Sequence, residues 1–190
     1  MRYLGQEVSA AGLAPLATKI EAIAAVTRPT TKVELQRFLG MVNFYHRYLP
    51  GIAAVLAPLH ALVTSAAAAK SVLAWSADQT AAFHASKKRL QLAKLLHHPD
   101  PHAELILTTD ASDVALGAVL AQHGSQPLGF FSKKLTITQT KYSAFDKELL
   151  AVKEAVSHFR HMVEGKTLVV YKKRRCLVAH TVTQATGGLV

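Results

Sequence analysis

Asp110 closes the run Ala103-Glu104-Leu105-Ile106-Leu107-Thr108-Thr109, and Glu148 lies further on, inside a helical pattern. Brought together, a carboxylate at a strand end and one on a helix make a site for hard cations with oxygen ligands, Mg²⁺ first. Two such ions a few ångströms apart activate a water and stabilise a leaving oxygen in phosphodiester hydrolysis. An Asp at a strand end is also what a turn cap looks like, and a Glu on a helix is commonly solvated. Spacing alone leaves both readings open.

The elements that must position these groups follow from pattern. Residues 103 to 109 read as a strand, Leu116 to Gln122 as a second, and Leu128 to Ser132 as a third after a Gly124–Pro127 turn. Ser143 precedes a helix with Asp146 at its third position, where an acid is favourable. Its apolar stripe is Phe145, Leu149, Val152, Val156 and Phe159, one helical face. Ala151 and Ala155 are small enough to let the helix approach a sheet and carry Glu148 towards Asp110. Gly165 ends the helix and Thr167 to Tyr171 is a fourth strand. Such an order predicts an α+β or α/β domain with a mixed sheet.

Upstream of His97-His98-Pro99-Asp100-Pro101 the pattern is mostly helical. A short strand-like piece from Arg2 to Val8 leads to a turn at Gly12. Thr31 with Glu34 forms a capping box. Leu35, Phe38, Leu39, Val42, Tyr45 and Leu49 then keep helical spacing up to Pro50-Gly51. A second amphipathic segment carries Ile52, Val55, Leu56, Leu59 and Leu62, and a third starts from the Ser76/Gln79 capping box and runs to about Leu92.

The chain has 190 residues, half of them hydrophobic, and a formal charge of +10. That excludes wholesale disorder and suits a polyanionic partner, most simply nucleic acid. One cysteine, Cys176, excludes an internal disulfide framework and a cysteine-based zinc site. The N-terminus has no signal-peptide core, and no apolar run is long enough to span a bilayer, so an intracellular protein, cytoplasmic or nuclear, is expected. His97, His98 and His102 lack a fourth ligand of suitable spacing and read as exposed loop residues. His158 and His161 read as ordinary surface groups. Phe44, Tyr45 and Tyr48 suit either base stacking or helix packing.

Lys141-Tyr142-Ser143-Ala144-Phe145-Asp146-Lys147-Glu148-Leu149-Leu150-Ala151-Val152 resembles the RNase H helix of gypsy-class LTR retrotransposon polyproteins. Thr109-Asp110-Ala111-Ser112-Asp113 with Gly117-Ala118-Val119-Leu120, and Phe131-Ser132-Lys133-Lys134-Leu135, resemble the strands beside it. Phe38-Leu39-Gly40-Met41-Val42-Asn43-Phe44-Tyr45-His46-Arg47-Tyr48-Leu49-Pro50 is similar to the reverse-transcriptase thumb, and Leu73-Ala74-Trp75 to the connector. The resemblance implies the end of a palm over 1–30, a helical thumb and connection over 31–100, an incomplete RNase H-like domain over 101–175 and a divergent tail over 176–190. It implies an endonuclease reaction, Mg²⁺-dependent hydrolysis of RNA in an RNA–DNA hybrid, with Asp110 and Glu148 as catalytic and metal-binding carboxylates. Lys32, Arg37, His46 and Arg47 become candidate phosphate contacts. No membrane and no small-molecule cofactor is implied.

Two departures stand out. The family's third carboxylate, in a Thr-Asp-His-Lys-Pro-Leu motif after the fourth strand, falls at Lys173. A lysine near a dication is repelled by about 4 kcal/mol per unit pair at ~4 Å and an effective dielectric of ~20. Impaired nuclease activity is therefore expected, the alternatives being a non-catalytic remnant that binds nucleic acid or protein, or an inert pseudogene product. The polymerase's paired aspartates would precede Met1, and no Tyr-x-Asp-Asp occurs. An incomplete sheet is also expected to leave an edge exposed.

Overall fold

The computed structural model describes residues 1–64 and 72–172 in full, and 175–181 as backbone. Lys173 and the four-alanine run at 66–69 lie outside the described residues. The chain opens on a three-stranded antiparallel sheet, β1 (Arg2–Tyr3), β2 (Gln6–Ser9) and β3 (Gly12–Pro15). The single strand-like piece expected over 2–8 is broken because Leu4 and Gly5 turn at φ 45° and 76°. Helix α1 (Ala17–Ala25), not anticipated from spacing, follows; its N-cap residue Leu16 has no side-chain oxygen to signal a start.

Helix α2 (Lys32–Phe44) starts at the Thr31 capping box, as its spacing requires. It stops at Phe44, earlier than Pro50-Gly51, and a 3₁₀ turn over His46–Tyr48 continues the apolar face. Helices α3 (Ile52–Thr64) and α4 (Ala77–Gln91) complete the first half, α4 behind its Ser76 capping box. Their core gathers Leu35, Phe38, Val42, Tyr48, Leu59 and Phe83, all essentially inaccessible. Phe83 lies 4.7 Å from Phe38 and 5.7 Å from Trp75, centroid to centroid. Phe83→Ala is expected to cost about 3–5 kcal/mol. Trp75 is the single tryptophan, so its fluorescence in a urea titration reads this core directly; a loss under about 1 kcal/mol would show the core collapsing to fill the gap.

The second half is a five-stranded sheet of order β6-β5-β4-β7-β8, with β4 (Leu105–Ala111), β5 (Ala115–Gln122), β6 (Gln126–Lys134), β7 (Thr167–Lys172) and β8 (Arg175–Thr181). β4, β5 and β6 are antiparallel, and β7 runs parallel to β4. The crossover that parallel pairing demands is supplied by α5 (Ile137–Thr140), α6 (Ala144–His158) and α7 (Arg160–Val163). Strand β8, which takes in the first residues of the tail, runs antiparallel to β7, so β7 is not an edge of the sheet.

One expectation about α6 is corrected. Its buried face is Lys147, Ala151 and Ala155, with Phe159 at its cap. Phe145 and Leu149 of the apolar stripe are 66% and 52% exposed. The alanines win because they let the helix backbone close onto Leu107, Leu120 and Leu168, whereas the bulky stripe would hold it away.

The two cores meet where α3 and the 3₁₀ turn lie against β5 and β6. Ala53 N donates to Ser132 Oγ at 3.1 Å, and Phe130 packs on the helical core. The His158 ring stands 5.0 Å from Phe131 and 6.2 Å from His46, so this residue belongs to the junction although part of it stays exposed. Burial, then His46, His161 and Arg47, holds its pKa below the ordinary value; burial, then Lys134, does the same for His60. A histidine depressed in the fold is protonated first in the unfolded chain. Stability is therefore whole above pH ~6.5 and falls as pH drops below it towards the folded pKa values. With both rings still touching solvent, the loss is on the order of 1 kcal/mol or less. Urea midpoints at pH 7.5 and 5 check it, and His158→Phe should shrink the difference.

Candidate functional site

β4 is the middle strand, and it carries Asp110 near its end. Leu105, Leu107 and Thr109 face α6 and are buried, Thr109 at 2% exposure. Period-two alternation turns Asp110 to the other face, with Thr108 and with Gly117, its partner on β5. There it is exposed and lines a hollow of about 360 Å³ together with Pro50, Gly51, Arg89 and Phe130.

Glu148 approaches the same end of the sheet from the α6 face. In the parallel β4–β7 register Thr109 lies beside Lys172, which puts the Lys172 side chain on that face too. Its ammonium makes an ion pair with Glu148 Oε2, both side chains being somewhat under a third exposed. The structure thus brings Glu148 to a lysine on β7, while Asp110 lies near the end of β4, one residue beyond the Thr109 that pairs with that lysine. Among the described residues no three His, Cys, Asp or Glu side chains gather where they can hold a metal ion. Such a donor set does not fit a pair of divalent cations, which requires several converging oxygen ligands.

Local chemistry fixes the frame. Ser112 caps the β4–β5 turn, its Oγ accepting from Val114 N and Ala115 N at 3.4 and 3.0 Å. Asp113 is fully exposed at that turn and accepts from Lys147 Nζ at 2.9 Å, with the Lys147 stem buried along the sheet. The hydrogen bond and charge of Lys147 hold the Asp113 carboxyl below the usual carboxylate range. Ser143 Oγ accepts from Asp146 N at 3.1 Å and so starts α6 where Glu148 faces the sheet.

The candidate phosphate contacts part company. Arg37 is exposed beside a groove of about 660 Å³ shared with Lys19, Met41 and Phe44. Lys32 is half-buried at the start of α2. His46 turns inward, with Nδ1 2.8 Å from Asn43 O and its ring edge on His158. Arg47 is half-buried, its guanidinium 5.7 Å from the Tyr48 ring centroid. Tyr45 and Tyr48 are buried and donate to Gly5 O and Gln6 Oε1, which leaves Phe44 as the exposed aromatic of that trio. His98 lies in a loop against Ser9 O, while His97 is half-buried there.

Sequence reasoning sets Lys172 in the basic run Lys172-Lys173-Arg174-Arg175, either a nucleic-acid or nuclear-import patch or the scar of a shifted frame, and does not pair it with Glu148. Its signal was present: it is the first basic residue of the run that stands where an acidic motif is expected.

Comparison with known proteins places this arrangement. Residues 75–170 match the model of the RNase H-like domain found in reverse transcriptase. The Tf2-3 and Tf2-4 transposon polyproteins of Schizosaccharomyces pombe are each 33% identical over 169 residues, covering 87% of this chain and 12% of theirs. The chain therefore spans about an eighth of the length of these curated relatives. Among solved structures, a foamy viral protease–reverse transcriptase in complex with RNA/DNA hybrid superposes with a TM-score of 0.81 at 23% identity, over 90% of this chain and 23% of that one. The foamy viral enzyme in complex with dsDNA gives 0.80 at the same identity, over 90% of this chain and 36% of that one. These likenesses establish the same mixed helix-and-sheet fold. A match over half the chain, on a sheet of this order with a helix packed on it, makes the chain a member of the family of RNase H-like domains found in reverse transcriptases.

Proposed function

We propose that this chain is a retrotransposon reverse-transcriptase and RNase H segment that engages RNA–DNA hybrid but is impaired in cutting it. In this reading residues 31–100 act as thumb and connection, with Lys32 and Arg37 the phosphate contacts on their outer surface. His46 and Arg47 support the junction behind them. The family reaction is Mg²⁺-dependent hydrolysis of the RNA strand, with Asp110 and Glu148 the carboxylates that take part in it.

The observation that supports impairment is the Glu148–Lys172 ion pair. It neutralises one carboxylate with an ammonium on the protein itself, and the neighbouring Lys173 supplies no acid in its place. The same pair favours the second reading, a segment that holds nucleic acid without cutting it. The net charge of +10 supports the choice of partner, and the foamy viral structures that share the fold are complexes with hybrid and dsDNA. No helix among the described residues is long and apolar enough to cross a membrane.

The test is incubation of the chain with a labelled RNA–DNA hybrid in Mg²⁺ or Mn²⁺, beside Asp110→Asn. Both are expected to bind the hybrid and leave it intact. Cleavage by the native chain that Asp110→Asn abolishes would overturn the impairment.

A further inference from the structure

Two hollows lie end to end on the face that carries Asp110. The first, about 440 Å³, is walled by Lys88, Arg89 and Lys94 over a floor of Pro50, Ala85 and Leu92. The second is the Asp110 hollow already described, and it shares Pro50 and Arg89 with the first. The result is one cleft from the C-terminal end of α4 to the end of β4.

Its chemistry is lopsided. Asp110, at the far end, is the one acidic residue lining either hollow. Lys88, Arg89 and Lys94 are exposed, and among the described residues none of them enters an ion pair. Leu92, an apolar residue 59% exposed, lies on the floor between them. Lys88 and Arg89 sit in the last turn of α4, where cations also offset the helix dipole. That does not account for Lys94, which lies beyond the Leu92 cap and is fixed by its N–H donating to Tyr48 O at 3.1 Å. Cations along a rim above an apolar floor suit a chain of phosphates whose sugars lie against the floor.

We propose that this cleft is a track for the phosphate backbone of one nucleic-acid strand, held by Lys88, Arg89 and Lys94 and ending at Asp110. The proposal rests on the nucleic-acid reading above and adds to it a contact surface on α4, separate from the α2 surface that carries Lys32 and Arg37.

The experiment is fluorescence anisotropy of an end-labelled RNA–DNA hybrid with the full chain between 50 and 200 mM salt. The test variant is Lys88→Gln/Arg89→Gln/Lys94→Gln. One comparison variant, Lys141→Gln/Lys153→Gln/Lys166→Gln, removes equal charge elsewhere; another, Arg37→Gln, touches the α2 surface. Releasing the counterions of three phosphates contributes a slope of about −0.9 each in log K against log salt. The test variant is expected to bind on the order of 100-fold more weakly near 0.1 M salt, with the slope shallower by about 2–3. The equal-charge variant should keep the native slope. If both triple variants behave alike, the binding follows net charge and the track is wrong. If Arg37→Gln weakens binding and the α4 variant does not, the track is wrong while the nucleic-acid reading stands. If the native chain binds no better than about 10⁻⁴ M, both fail together. Circular-dichroism melts confirm that each variant is folded, as expected for exposed positions.

Discussion

The double variant Lys172→Thr/Lys173→Asp is expected to cleave RNA–DNA hybrid at least about 100-fold faster than the native chain. It installs the Thr-Asp start of the motif that the resemblance to gypsy-class polyproteins implies after the fourth strand. The change at 172 frees Glu148 from the ammonium that holds it, and the change at 173 supplies a carboxylate. Exchanging a positive for a negative group near a dication is worth about 4 kcal/mol per unit pair at an effective dielectric of ~20. Lys172 and Glu148 remain 28% and 30% exposed, so solvent removes part of that. A residue of about 2–3 kcal/mol still corresponds to roughly 100-fold in rate. Lys173→Asp alone should recover less, because Glu148 stays paired. Adding Asp110→Asn to the double variant should abolish the gain. A folded double variant no faster than the native chain would mean that the lesion is not at these two positions.

Gly12→Ala is expected to destabilise the chain by about 3–5 kcal/mol, from added strain, overpacking and lost hydrogen bonds. Gly12 has φ +141°, which side-chain-bearing residues rarely adopt. A Cβ there would lie 2.0 Å from Leu96 O and 2.9 Å from Leu96 C, both backbone atoms that cannot swing aside. Leu96 is fully buried, and its backbone exchanges hydrogen bonds with Leu13 at 2.7 and 2.9 Å. This bridge ties the N-terminal sheet to the segment that leads into β4. Relief of the clash must therefore break the bridge or displace Leu96 from the core. Urea unfolding followed by circular dichroism measures the loss; a change under about 1 kcal/mol would mean that the segment moves away at little cost.

What could be read in the residues follows from which forces are local. The capping boxes at Thr31 and Ser76 marked two helix starts to the residue, because the bonds that make them lie within four residues of sequence. The central strands were readable from their alternation and β-branched content. Helix α1 was not, since Leu16 offers no cap. The burial of α6 was misread for a different reason: periodicity marks where apolar residues lie, but contact with a sheet selected the alanines. Asp110 and Glu148 were identifiable as site candidates from their motifs. The Glu148–Lys172 pair was not, because it depends on the alignment of two strands more than fifty residues apart.

That alignment makes the site sensitive to chain length as well as to side-chain identity. Thr109 stands beside Lys172, and every residue of β7 alternates between the two faces of the sheet from that point. Removing one residue between α7 and β7 would present the strand's other edge pattern to α6, unless the chain slid to compensate. Leu168 and Val170 would leave the core, and Lys172 would leave the α6 side. A single-codon deletion would thus leave Glu148 facing a lysine, since Lys173 takes the place of Lys172, while turning the apolar face of β7 away from α6, an outcome that no point substitution in this strand can produce.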